Sequence, residues 1–192
     1  MNYDEFEDRL GDPEVTTVFR FWRIQCGLGE SPTKSSFYPD RLPFGIWPNL
    51  FLYERADSGR ILAILSGTAL VRHFGCDATG KYLDEDTVSA DVRERIRLME
   101  GVIESERPVF FRADLPVREE KHHSCSRLVL PLRDNSADVR YLFGIVTFSP
   151  ERWEYEVPRR RGVRDILWAD APSVEDAGEG DGAETAATRE AG

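Results

Sequence analysis

The amino-acid sequence predicts an α+β protein: a five-stranded antiparallel sheet with helices packed on one face, plus an N-terminal helix. Strand patterns at 50–54 and 60–66 are joined by a short turn, a long helical pattern follows at 88–106, and three more strand patterns then succeed one another. Because the connecting helices fall between the second and third strands, they can cross over one side of the sheet. We therefore expect a sheet with its helical cover on that side.

The N-terminal third predicts a helix and then a strap. Apolar residues recur at helical spacing over 15–25, and Gly27 and Gly29 follow as stop signals. Residues 31–48 contain four prolines among large apolar side chains, a composition typical of an extended segment packed on a domain.

The predicted N-terminal helix carries aromatic residues on more than one of its faces. These are Phe19, Phe21 and Trp22. At least one is expected to dock on the sheet or on a second subunit, and the second case would give a homodimer through this helix.

Three glycines delimit the most informative segment of the chain. Gly67, Gly75 and Gly80 bound a short apolar pattern in which Leu70 and Phe74 fall at helical spacing. Such a turn, helix and turn between a hairpin and a long helix predicts a lid over the sheet.

The second half of the chain predicts a long helix and a meander. Val92, Ile96, Met99 and Ile103 recur at intervals of three and four residues, and Pro108 follows the pattern. The strand patterns at 109–118, 123–132 and 140–149 are separated by polar turns, which favours antiparallel neighbours.

Length and charge bound the domain organisation. The 192 residues carry a formal charge of −10. Seven acids and a single arginine follow Trp168, with almost no large apolar side chain, so this tail is expected to be disordered. The expected divisions are 1–48 for the N-terminal helix and strap, 49–149 for the core, 150–169 for a C-terminal extension and 170–192 for the acidic tail.

Composition also excludes several classes of partner. A mildly acidic body gives no electrostatic case for binding nucleic acid, and no apolar run is long enough for a membrane span. The N-terminus lacks the pattern of a secretory signal, so a cytoplasmic location is expected. Three widely spaced cysteines do not indicate a disulfide framework.

Motifs along 17–149 resemble the PAS domain superfamily, in particular a bacterial group of stand-alone PAS-like sensory proteins. Their order and spacing carry the resemblance: Phe21-Trp22-Arg23, Leu42-Pro43, Pro48 to Leu52, Gly67-Thr68 to Gly80, Ser126 to Leu132 and Phe143-Gly144. The resemblance implies a sensory or protein-interaction module with a cavity between the sheet and its helical lid, and it implies no reaction. The cysteine motif of flavin-reactive members has no match, so no such role is assigned to Cys76.

A small-molecule ligand would contact side chains that point into this cavity. The alternative is that the same side chains only fill a core. Arg127 lies among apolar strand residues, where it could bind a ligand carboxylate or phosphate, neutralise a buried acid, or face solvent. The expected inward set is Leu65, Phe74, Met99, Ile103, Phe111, Arg127, Leu128 and Phe143.

The sequence also offers a weaker set of reactive groups. His123 and Cys125 are two apart on a predicted strand and share a face, which would suit a metal site or a small enzyme, whereas His122 points the other way. Since only two ligands converge there, polar residues at a strand entrance are the alternative. His73 on the lid would be the axial ligand if the chain were a haem receptor, as in haem-binding PAS members, and a flavin receptor is a further alternative. The cofactor is left open.

No nucleophile elbow or dinucleotide fingerprint is present, so no catalytic residue is nominated. A basic cluster at 159–161 and Arg164, beside Ile166, predicts either a short docking helix for a partner or the solvated end of the domain. The resulting hypothesis is a sensory module without catalysis of its own, which binds a small ligand, a signalling protein partner, or both.

Overall fold

The computed structural model describes residues 1–27, 29–84, 90–117, 121–149, 152–153 and 162–172. These residues form one antiparallel sheet with helices on both of its faces. The helices are α1 (Tyr3–Leu10), α2 (Pro13–Ile24), α3 (Thr68–Phe74) and α4 (Ala90–Ser105). None of the helices in the described ranges has the length and apolar character that would let it cross a membrane.

The sheet contains the five predicted strands and two more. The strands are β1 (Leu50–Arg55), β2 (Ile61–Ser66), β3 (Val109–Val117), β4 (Lys121–Arg133), β5 (Val139–Phe148), β6 (Arg152–Trp153) and β7 (Gly162–Trp168). Their spatial order is β2-β1-β5-β4-β3-β7, and the two-residue β6 pairs with β4. All pairs are antiparallel.

Strand β7 corrects the interpretation of the segment around Arg164. From Gly162 to Trp168 the chain is neither a docking helix nor a solvated end, because it hydrogen-bonds along the outer edge of β3. The basic cluster at 159–161 lies outside the described residues. The side chains of β7 alternate between the two faces of the sheet: Leu167 contributes to one core and Trp168 to the other. Pairing satisfies backbone groups that an edge strand would otherwise expose. The segment 173–192, which includes nearly all of the predicted acidic tail, lies outside the described residues.

The two faces of the sheet are covered by different helices. The connecting helices α3 and α4 lie on one side, as predicted, and α1 and α2 cover the other side. We call these the α3–α4 face and the α1–α2 face. Consecutive residues of β4 alternate between them, so that Leu128 and Leu130 face α1 and α2 whereas Val129 faces α4.

The N-terminal region contains two helices where the sequence predicts one. Helix α1 starts at an Asn2 cap and ends at Gly11, which adopts a left-handed conformation. Asp12 then caps α2, and Pro13 occupies its first position. These three residues separate the two helices, and α1 folds back onto α2.

The aromatic side chains of α2 dock on the protein's own sheet. Phe19 and Trp22 are fully buried, and the indole Nε1 of Trp22 donates to the carbonyl of Pro131 at 2.9 Å. These two rings are therefore occupied within the chain, and they are not part of any surface through which α2 could meet a second subunit.

The strap is more structured than predicted. It contains 3₁₀ turns at Pro39–Arg41 and Phe44–Asn49, with Phe37, Leu42 and Ile46 buried on the α1–α2 face. A short 3₁₀ turn tolerates proline better than a continuous helix because few of its backbone N–H groups need an internal acceptor. Packing on the domain, the essential part of the prediction, is observed.

Candidate ligand-binding cavity

A cavity of about 260 Å³ lies on the α3–α4 face, between the two helices and strands β1, β2 and β4. Small-molecule sites span about 300–1,000 Å³. At about 260 Å³ this cavity lies just below that range, so it suits only a small ligand. Most of its lining is apolar. The described residues of the lining are Tyr53, Ser66, Leu70, Phe74, Cys76, Ala78, Leu83, Val92, Arg95, Ile96, Met99 and Arg127.

Local sequence signals build the wall that α3 provides. Gly67 precedes the helix where a side chain would overlap the carbonyl oxygens of Pro48 and Leu50, and its N–H donates to Leu50 at 2.8 Å. Gly75 ends the helix in a left-handed conformation, with its N–H bonded to Val71. The glycine-bounded lid predicted from the sequence is thus present, tied to the start of β1.

The chain after α3 closes the cavity along the edge of β2. Backbone bonds join Gly80 and Lys81 to Ala63 at 2.8 and 3.0 Å, and Leu83 to Ile61 at 2.9 Å. Arg60 adds a side-chain clamp, donating from Nε to Asp84 at 3.0 Å. These bonds hold Ala78 and Leu83 against the cavity as a wall.

Arg127 is the most unusual group in the lining. The side chain is only 4% exposed, and its cross-strand neighbours on β3 and β5, Phe111 and Val146, are fully buried. Its guanidinium carbon lies 5.4 Å from the ring centre of Phe51 and 5.9 Å from that of Phe74. The buried Nε has no hydrogen-bond acceptor, and no acid of the described chain forms an ion pair with this arginine. It therefore neither neutralises a described acid nor faces solvent.

Two further polar groups lie near Arg127. Arg95 is half-buried on α4 and lines the same cavity. Cys125 is buried two residues before Arg127 on β4, and this burial raises the pKa of its thiol, with a smaller opposing effect from the positive charges of Arg127 and Arg95. The thiol is therefore protonated at neutral pH.

Three of the predicted ligand residues line the cavity together: Phe74, Met99 and Arg127. Phe111 and Ile103 belong to the same core without lining the cavity. Ile103 instead borders an open cleft near the end of α4.

The other three predicted ligand residues point elsewhere, which corrects the expectation that they face inward. Leu128 and Phe143 are buried on the α1–α2 face. Leu128 follows Arg127 directly, and adjacent residues of a strand cannot share a face. Leu65 is 47% exposed. A β-bulge between β1 and β2 shifts the alternation just before it, so that Ser66 lines the cavity in its place.

Tyr53, Ser66 and Arg95 are among the lining residues that sequence reasoning missed. A signal existed for Arg95, because Val92, Arg95 and Met99 are spaced by three and four residues and so share one face of α4. No comparable sequence signal predicts that Ser66 lines the cavity. The bulge that turns Ser66 inward depends on the pairing of β1 with β2.

The remaining candidate residues lie away from the cavity or outside the described side chains. The ring of His73 stacks on that of Phe148, with ring centres 4.0 Å apart. His73 lines a separate open cleft beside the start of α2 and does not line the cavity that Phe74 lines. The side chains of His122 and His123 lie outside the described residues. Within the part that is described, no three His, Cys, Asp or Glu side chains gather as metal ligands.

The architecture is that of a small α+β domain. A short lid helix and a long helix cover one face of an antiparallel sheet, with a cavity between them and the strands. The family model described as PAS domain matches residues 12–147, and the chain belongs to that family. The resemblance seen in the sequence is confirmed, and the chain is a PAS domain, a sensory module. Helix α1 and strand β7 lie outside the matched range.

Three solved structures resemble parts of the chain. VqmA bound to DPO is 16% identical, with a TM-score of 0.46, and the match covers 57% of this chain and 53% of that one. The Vibrio cholerae VqmA dimer in the absence of target DNA has the same identity, TM-score and cover of this chain, over 49% of its own length. The PAS domain of Bordetella pertussis BvgS is 25% identical, with a TM-score of 0.33, over 52% of this chain and 74% of its own.

The chain thus spans about half of the length of the VqmA structures. Among curated proteins, none matches the chain.

Proposed function

We propose that this PAS domain is a sensor that binds a small molecule in the cavity of the α3–α4 face and passes its occupancy to a protein partner. The observation that supports this most is the cavity itself, about 260 Å³ in a sheet domain whose other face is close-packed. Small-molecule sites are concave and mostly apolar with a few polar groups, and this half-open cavity has that make-up, which favours a ligand.

The lining favours binding over catalysis. Ser66 and Cys76 are the nucleophilic side chains of the lining that the structure describes, and no histidine lies among those residues to act as their base. Arg127, the buried cation of the described lining, is suited to binding and orienting an anion.

The packing of α4 offers a route by which occupancy could reach the surface. Met99 lines the cavity, and two residues later Gly101 lies against the ring of Trp168, whose edge is 3.0 Å from where a Cβ would stand. A ligand that shifts α4 would therefore press on β7 at the edge of the sheet. We place the partner-reading surface at that edge.

The test is native mass spectrometry of the freshly purified full chain, with Ala78→Phe as the variant that fills the cavity. The wild type should retain a small molecule that denaturation releases, and the variant should lose it. Ala171→Phe, at an exposed position far along the chain, is the matched control and should retain the molecule.

The opposite result is also informative. If Ala78→Phe melts several degrees lower and both proteins carry nothing, the space is only loosely packed core, because overpacking destabilises a core without any ligand being involved.

A further inference from the structure

We propose that the ligand is a small organic monocarboxylate, whose carboxylate binds the guanidinium of Arg127 while its apolar part packs against Leu70, Phe74 and Met99. This inference rests on the proposed function of the cavity. It names the chemical class of ligand that the cavity would select.

The first support is the state of Arg127 itself. Arginine is almost never fully buried without a paired anion, because removing its charge from water is costly. Here the side chain is 4% exposed, Nε lacks an acceptor, and none of the acids the structure describes lies within ion-pair distance. The rings of Phe51 and Phe74 give cation–π contacts, which recover only part of that cost. A carboxylate in the cavity would supply the rest.

The second support is the charge around the cavity. The whole chain carries a formal charge of −10, yet the described lining includes two arginines, Arg95 and Arg127, and no aspartate or glutamate. The guanidinium of Arg127 in this lining attracts anions and disfavours cationic ligands.

The third support is geometry, which favours a carboxylate over a phosphate. The planar guanidinium presents two parallel N–H donors that match the two oxygens of a carboxylate. A phosphomonoester brings about −1.5 to −2 charges at pH 7 and three oxygens to satisfy. Arg127, the one buried cation of the described lining, matches the single charge of a carboxylate better.

The test uses calorimetric titration and thermal melting of the full chain with hexanoate, octanoate and phenylacetate, each beside its primary amide, and with phenyl phosphate. At least one acid should bind and raise the melting temperature, and its amide should bind on the order of tenfold or more weakly, as expected for a lost charged hydrogen bond.

The matching variants separate a binding role of Arg127 from a structural one. Arg127→Met keeps the length and apolar stem but removes the charge. It should abolish acid binding while melting at or above the wild-type temperature, since a buried unpaired charge is gone. Arg127→Lys should retain weaker acid binding. Arg112→Met, on the neighbouring strand and paired with Asp165, is the control and should bind acids like the wild type.

Several outcomes would overturn the inference. If Arg127→Met melts well below the wild type, Arg127 has a structural role. If amides bind as tightly as acids, or phenyl phosphate binds more tightly than phenylacetate, the ligand class is wrong. If no acid binds while Ala78→Phe still strips a retained molecule, the cavity is a sensor site for another chemistry. If neither happens, the proposed function fails as well.

Discussion

The two faces of the sheet use the same strands for opposite purposes. On the α1–α2 face, Tyr3, Phe6, Phe19 and Trp22 are all fully buried, and their neighbouring ring centres lie 5.1 to 6.1 Å apart. On the α3–α4 face, the helices leave a cavity with a buried cation in its lining. The change from one environment to the other takes one residue, from Arg127 to Leu128.

This difference shows how a domain of this size can hold open space. Aromatic packing contributes more per residue than any other burial, and the N-terminal helices concentrate it on one side. The stability of that side can offset the loss of close packing on the other side, where a chamber costs dispersion contacts. Helix α1 and the strap are therefore part of what permits the cavity, although neither touches it.

The largest expected effect comes from breaking the closely packed face. Leu128→Ala removes a fully buried side chain from beneath α2 and should lower the free energy of unfolding by about 2–5 kcal/mol. Leu65→Ala is the matched control, because the same change at a half-exposed position should cost about 0.5 kcal/mol or less. Urea unfolding followed by tryptophan fluorescence measures both.

Neither of these leucine variants should alter the binding of a carboxylate probe at a temperature where the protein is folded. A loss of binding in Leu128→Ala while that variant is still folded would mean that the two faces are not separate in the way described.

Thiol reactivity gives a finer measure of the two faces. Cys76 is exposed, whereas Cys26 on the α1–α2 face and Cys125 on the α3–α4 face are buried. Ellman's reagent should modify one thiol quickly in the native protein and all three after denaturation. Burial also raises the pKa of Cys125, which keeps its reactive thiolate scarce at pH 8.

The slow phase then reports which face opens more often. With Cys76→Ser as background, Cys125 should react faster than Cys26, and a bound ligand should slow Cys125 alone. Equal rates with and without ligand would argue that the cavity face is as tightly closed as its opposite.

The smallest expected effect concerns the clamp at the cavity wall. The hydrogen bond from Arg60 lowers the pKa of Asp84 below its usual value. A carboxyl whose pKa is depressed on folding stabilises the protein above its unfolded pKa of about 3.9, and this stabilisation is lost as the pH falls through the folded value. The wild type should therefore melt slightly above Asp84→Asn at pH 7, with the gap closing below about pH 3.9.

Calorimetry across this pH range at constant ionic strength is the measurement. Because the pair is exposed, 150 mM salt should narrow the gap at pH 7. A gap that persists at pH 2.5 would mean that the Asp84→Asn substitution disturbs the wall by its shape and not by its charge.

Local sequence patterns predict an element well where its start, its end or its periodicity is marked by residues of that same segment. The glycines around α3, the polar turns between β3, β4 and β5, and the periodicity of α4 all depend on residues close in sequence. Helix α1 escapes prediction because Gly11, Asp12 and Pro13 lie so near the N-terminus that a single helix after them accounts for the pattern. Strand β7 escapes it because only its partner β3 makes it a strand.

The cavity residues also divide into those that local sequence patterns predict and those that depend on strand pairing. Phe74 and Met99 can be named from helical spacing, and Arg127 from the oddity of a charge in an apolar run. Which strand residues face inward depends on register, and a single bulge exchanges Leu65 for Ser66. Sequence periodicity alone does not predict that bulge, because it arises from the pairing of β1 with β2.

The central strand β5 contributes to the cavity through a residue without a side chain. At position 144 a side chain would overlap the carbonyl oxygen of Leu128 and the ring of Phe51. Gly144 therefore makes the seat in which that ring lies, and the ring in turn supports the guanidinium of Arg127. The position of the positive charge on β4 thus depends, through Phe51 on β1, on the lack of a side chain at Gly144 on β5. A residue that does not line the cavity therefore affects its chemistry.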